Sequence, residues 1–120
     1  MTKKPILFRD PLHKFDWLLY LGWKQEDAIA NYMKIHQITD FIEPSRGSVG
    51  RFFANSTVRN GGLWFRDKAP TVGVIAHECF HLVSYMFDTI GQKIGSDSEE
   101  SAAYYLEWIT NSVEKCVKRR

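Results

Sequence analysis

Two cysteines, Cys79 and Cys116, are all that the 120 residues contain, too few for a disulfide framework. No stretch approaches the roughly 20 apolar residues that span a bilayer. The start, MTKKPILFRDPLHKF, has neither the long apolar segment nor the small-residue cleavage site of a secretion signal. These shortages point to a reducing, cytoplasmic setting and no membrane partner. A strong charge of one sign is also missing. The formal net charge is +2, but Lys115, Lys118, Arg119 and Arg120 stand at the extreme end, leaving twelve basic against fourteen acidic groups in residues 1–114. The body is mildly acidic, which argues against nucleic acid as a partner, and the basic end reads as a solvated last helical turn that complements the helix dipole. At this length there is no room for a separate recognition domain. Residues 1–120 read as a single domain, with one core burying about 65% of the surface of the extended chain.

What the chain does contain is ordinary for a folded domain, at 44% hydrophobic and 14% aromatic residues. Trp17, Trp23, Trp64 and Trp108 read as packing anchors. The exception is His77-Glu78-Cys79-Phe80-His81. Two imidazoles one helical turn apart can close on one metal ion, and the glutamate between them can act on water bound to it. The context is helical. Residues 71–90 read TVGVIAHECFHLVSYMFDTI, and Gly91 stands where a helix needs a left-handed terminal residue. Ala76, Phe80, Val83 and Phe87 form an apolar stripe, with His77, His81 and Ser84 on an adjacent face looking into a cleft. Cys79 lies off that direction and reads as a small buried hydrophobe.

A second helix is expected after Gly91. Ser96-Asp97-Ser98-Glu99 has the form of a capping box, with Ser96 as N-cap and Glu99 reaching back to it. Glu100 is then free to face the histidines as third ligand, with Glu99 as the alternative, while Ala103 lets the helices approach and Glu107 lies too far along. Two histidines and a glutamate leave a fourth position for water, the catalytic rather than the structural zinc arrangement.

VIAHECFH at residues 74–81 and EESAAYYLEWI at residues 99–109 resemble a family of very small gluzincin-like HExxH zinc metallopeptidases, often encoded by phages or prophages. The resemblance covers the C-terminal half and only loosely the first 60 residues. It implies that His77, His81 and Glu100 bind Zn2+ and that Glu78 is the catalytic base. It also implies hydrolysis of a peptide bond in a peptide or protein substrate, in the host cytoplasm where a phage encodes the protein. Tyr104 stands where larger gluzincins commonly carry an acidic or small residue. The developing oxyanion needs a donor besides zinc. Tyr104, one turn from Glu100, is the catalytic candidate, with Tyr105, His13 and His36 as alternatives.

The N-terminal half carries less chemistry. Residues 11–20 read as a short helix or an edge strand. Residues 24–36 read as a helix burying Ala28, Ile29, Tyr32, Met33 and Ile35. Residues 38–42, 50–54 and 62–66 are short enough to be strands, with Asn60-Gly61 as a hairpin turn. The expected fold is α+β, a minimal zincin-like domain whose small antiparallel or mixed sheet packs on the HExxH helix and a C-terminal ligand-bearing helix. The strand around residues 63–65 is either a platform for an extended peptide or an edge covered by a loop or by another copy of the chain, which would make a homo-oligomer. The competing functional reading is a non-catalytic zincin-fold protein that binds or regulates a partner, such as a phage factor acting on a host protein.

Overall fold

Two apolar runs, WLLYL and LWF, form the middle of a sheet that is covered on both faces. In the computed structural model, which describes residues 3–10, 12–55 and 59–119, strand β1 is Ile6–Arg9, β2 Asp16–Leu21, β3 Gly50–Phe53 and β4 Asn60–Phe65. Helix α1 is Gln25–Ile35, α2 Val72–Thr89 and α3 Glu99–Cys116. The four strands make one mixed sheet in the order β1-β2-β4-β3. β2 and β4 pair in parallel at its centre, Leu19 opposite Leu63 and Tyr20 opposite Trp64, and the edge strands β1 and β3 pair antiparallel to them.

The side-chain alternation of a strand sends successive residues to opposite faces. Phe15, Trp17, Leu19, Leu63 and Phe65 meet Ile75, Cys79, Leu82 and Met86 of α2 and Ile109 and Val113 of α3 on one face. Leu18, Tyr20, Phe53 and Trp64 meet Ala28, Ile29 and Tyr32 of α1 on the other. The result is three layers: α1, the sheet, then α2 beside α3. Arg119 ties the far end of α3 to the start of α2 by bonding Pro70 O and the Glu114 carboxylate, so the two helices run antiparallel. This gives the basic end a packing role beyond the solvated last turn expected of it. Among the described residues no helix is long and apolar enough to cross a membrane.

The α+β class with a mixed sheet packed on helices agrees with expectation, but several elements do not. Residues 16–21 form an internal strand, neither a helix nor an edge. Strand β1 is unforeseen, and residues 38–42 form no strand. In α1, Ile35 is exposed and Gln25 takes a buried place, because Gln25 bonds Ser45 of the loop before β3 and Arg51 of β3 itself. Asn60-Gly61 is not a hairpin turn. It opens β4, paired with Asp16 and Trp17. Its glycine and the next make space for rings: a Cβ on Gly62 would lie 2.4 Å from Phe53 Cε1, and one on Gly61 would lie 2.7 Å from Phe52 Cε1. β4 is wholly buried between two strands, so it cannot serve as a peptide platform or as a covered edge.

Gly62→Ala should lower stability by about 1–3 kcal/mol, the usual cost of overpacking, read as a lower urea midpoint. A second expectation concerns His36, at the end of α1. Burial pushes its pKa down, with Asp16 partly opposing, and its Nε2 is buried with no hydrogen-bond partner among the described residues. A depressed folded pKa means that the unfolded chain takes up the proton first as pH falls. Stability therefore drops as pH falls through about 6.5, and His36→Leu should flatten that part of the urea-midpoint profile.

Candidate active site on helix α2

Helix α2 is delimited as its sequence suggests. The Thr71 hydroxyl accepts from Val74 N–H at 3.3 Å at its start, and Gly91, at φ +78°, follows its end. Four residues apart, His77 and His81 come to the same face, with ring centroids 4.9 Å apart and planes crossing at 76°. Both are open to solvent, His77 with 67% of its side chain exposed.

Glu78 points about 100° around the helix from His77 and is buried against the outer edge of β3. Its Oε1 accepts the Phe52 N–H at 3.0 Å, and its Oε2 lies 3.9 Å from His77 Nε2. Gly50 permits this approach, because a Cβ there would stand 3.3 Å from Glu78 Cγ and 3.0 Å from the Phe65 ring. Glu78 therefore divides two open recesses along β3. One, of about 550 Å³, is lined by Arg51, Phe52, His81, Ser84, Tyr85 and Asp88. The other, of about 430 Å³, is lined by the 47–50 loop, Gly73, Val74 and His77.

The buried arc of α2 is wider than the expected stripe and displaced from it. Val83 and Phe87 are buried as foreseen, but Ile75, Cys79, Leu82 and Met86 dominate the arc and Phe80 is 51% exposed. The reason is that α2 docks on two neighbours, the sheet and α3, so its contact arc spans both directions. Cys79 is a fully buried thiol, as expected, and burial pushes its pKa up to about 12.

The connector to α3 departs from the capping-box reading. α3 begins at Glu99 with Ser98 as N-cap, and the Ser98 side chain makes no capping hydrogen bond. Ser98 Oγ instead accepts from Gly95 N–H and donates to Lys93 O, closing the connector on itself. Glu99 then borders a recess with Phe80, Val83 and Ala103, and Glu100 is exposed in the first turn. Among the described residues no group of three His, Cys, Asp or Glu side chains stands together as a metal cage. The structure thus brings His77, Glu78 and His81 together and does not bring Glu100 to them.

The expected oxyanion donors lie elsewhere. Tyr104, Tyr105 and His13 line a cavity beside Asp10, Met86 and Phe87, and His36 closes α1 across the sheet. The tyrosine that shares a recess with Glu78 and His81 is Tyr85, one turn beyond His81, whose hydroxyl donates to Asn55 O at 2.7 Å. Burial raises its pKa. The same i, i+4 spacing that pairs the histidines could have indicated it. Phe52 and Gly50 left no comparable signal in the sequence.

With no solvent path to its sulfur, Cys79 should react with a thiol reagent only as fast as the fold opens, while the half-buried Cys116 reacts first. Reagent kinetics on Cys116→Ser isolate the Cys79 thiol, and rapid reaction in the native protein would contradict its placement. Family models, curated proteins and solved structures give no match to this chain.

Proposed function

We propose that the chain is a zinc-dependent peptidase of the small gluzincin-like kind, with His77 and His81 as two metal ligands, Glu100 as the third and Glu78 as general base. The observation that carries the reading is the convergence of both imidazoles and a buried carboxylate on the outer edge of β3. Two nitrogen donors one turn apart, open to solvent, fit two positions of a tetrahedral zinc. The donor set is incomplete without a carboxylate. Glu100, exposed in the first turn of α3, would be its source in this reading. Zinc, once bound, would polarise a carbonyl and make water more acidic.

The protein's own residues account for the remaining tasks. Glu78 takes a proton at its free oxygen, Oε2, and returns it to the leaving amine, while the Phe52 N–H holds the other oxygen in place. β3 offers the surface for an extended substrate. The Arg66 N–H bonds Val49 O at 3.0 Å, so by antiparallel alternation Arg51 and Phe53 turn their backbone groups toward β4, while the Gly50 groups and the Phe52 carbonyl face outward beside the Phe52 N–H that Glu78 holds. A peptide laid along that edge would pass both histidines, at the place once expected of β4.

Purified protein should carry one zinc per chain. His77→Ala and His81→Ala should each lose it, and Glu78→Gln should keep it while cleavage of a peptide library falls about 10²- to 10⁴-fold. Unchanged biological activity in Glu78→Gln would leave a zincin-fold protein that binds or regulates its target.

A further inference from the structure

A second site lies on the side of α2 turned away from the histidines. Met86 and Phe87 floor a cavity of about 480 Å³ that Tyr104, Tyr105 and Trp108 of α3 wall and Asp10 closes. Its size and largely apolar lining, with Asp10, His13, Gln92 and Ser101 as the polar members, are those of a small-molecule site. Tyr105 and Trp108 stand with ring centroids 5.3 Å apart and planes at 64°, forming two walls of a corner, and Tyr104, 64% exposed, stands at the rim.

Asp10 is only 2% exposed, and its carboxylate meets three donors. Oδ1 accepts from Leu12 N–H at 2.8 Å and His13 N–H at 3.2 Å. Oδ2 accepts from the Tyr105 hydroxyl at 2.8 Å, which itself accepts from Trp17 Nε1–H at 2.9 Å. No Lys, Arg or His among the described residues forms an ion pair with it. The backbone donors of Leu12 and His13 account for the contacts of Oδ1, but not for the aromatic cavity that Asp10 helps to line. A buried negative charge without a counter-ion, among ring faces that are themselves negative, rejects anions and leaves neutral apolar molecules no use for the carboxylate. It suits an organic ammonium ion, quaternary or primary, that can lie against the ring faces.

We propose that this cavity binds an alkylammonium group, held by the Tyr104, Tyr105 and Trp108 rings and balanced by Asp10. The group can come from a free quaternary amine or from the side chain of a lysine. The site is separate from the proposed zinc centre, and its test does not depend on zinc or turnover.

Calorimetric titration of the intact protein with choline, with its uncharged isostere in which carbon replaces the nitrogen, and with Nα-acetyl-lysine amide tests it. The Trp108 indole N–H resonance reports the location. At least one cation should bind about tenfold or more tightly than the isostere, as a desolvated cation–π contact implies, and should shift that resonance. Tighter binding of choline assigns the site to free amines, and tighter binding of the lysine amide assigns it to lysine side chains. Asp10→Asn, which keeps an acceptor for the turn, and Tyr104→Ala, at a largely exposed position, should each weaken the preferred cation about tenfold. Equal affinity for cation and isostere, no binding of either cation, or unchanged affinity in both variants would overturn the proposal.

Discussion

The Glu78 carboxylate and the Phe52 N–H each lack what the other supplies. An edge strand leaves outward N–H groups unpaired, and a carboxylate held against a core needs donors to keep its charge. Their 3.0 Å bond satisfies both and fixes the rotation of α2 about its axis. Once Glu78 faces β3, the helical period places Cys79, Leu82 and Met86 toward the core and His77 and His81 outward along the edge. Gly50 is the permissive element, because a side chain there would crowd Glu78 and Phe65 together.

That bond can act as a reference only because the sheet beneath it is rigid. β2 and β4 are covered on both faces, by α1 on one side and by α2 and α3 on the other. The two glycines of β4 let the Phe52 and Phe53 rings lie over the strand on opposite faces. The candidate site therefore sits where a buried helix meets the last strand of a packed sheet, with stable backbone on one side and solvent on the other. The aromatic cavity occupies the other seam, between α2 and α3, and uses residues that the histidine face does not touch.

How much of this was legible in the sequence follows from the range of each signal. Helix α2 could be read almost to the residue because Thr71 and Gly91 are local end signals, and His77, Glu78 and His81 are linked by helical spacing alone. Strand β4 was misread at Asn60-Gly61 because the pair is a strong turn signal locally, and only the packing of Phe52 and Phe53 shows why glycines belong inside a strand. The Ser96 capping box failed for a related reason: the connector uses Ser98 to close itself. Phe80 was assigned to the core on the assumption that α2 packs in one direction. Phe52 and Gly50 stand more than twenty residues from Glu78, and no periodicity relates them to it. The exposed place of Glu100, away from the pair, likewise depends on how α3 docks.

Under the proposed function, the paired imidazoles become a metal centre completed from α3. Crystals grown with zinc, with anomalous scattering recorded at its absorption edge, test it most directly. One zinc is expected at about 2.0–2.2 Å from a nitrogen each of His77 and His81 and from a Glu100 oxygen, with one position left open. Zinc absent from the pair, or enclosed there by a fourth protein ligand, would contradict it.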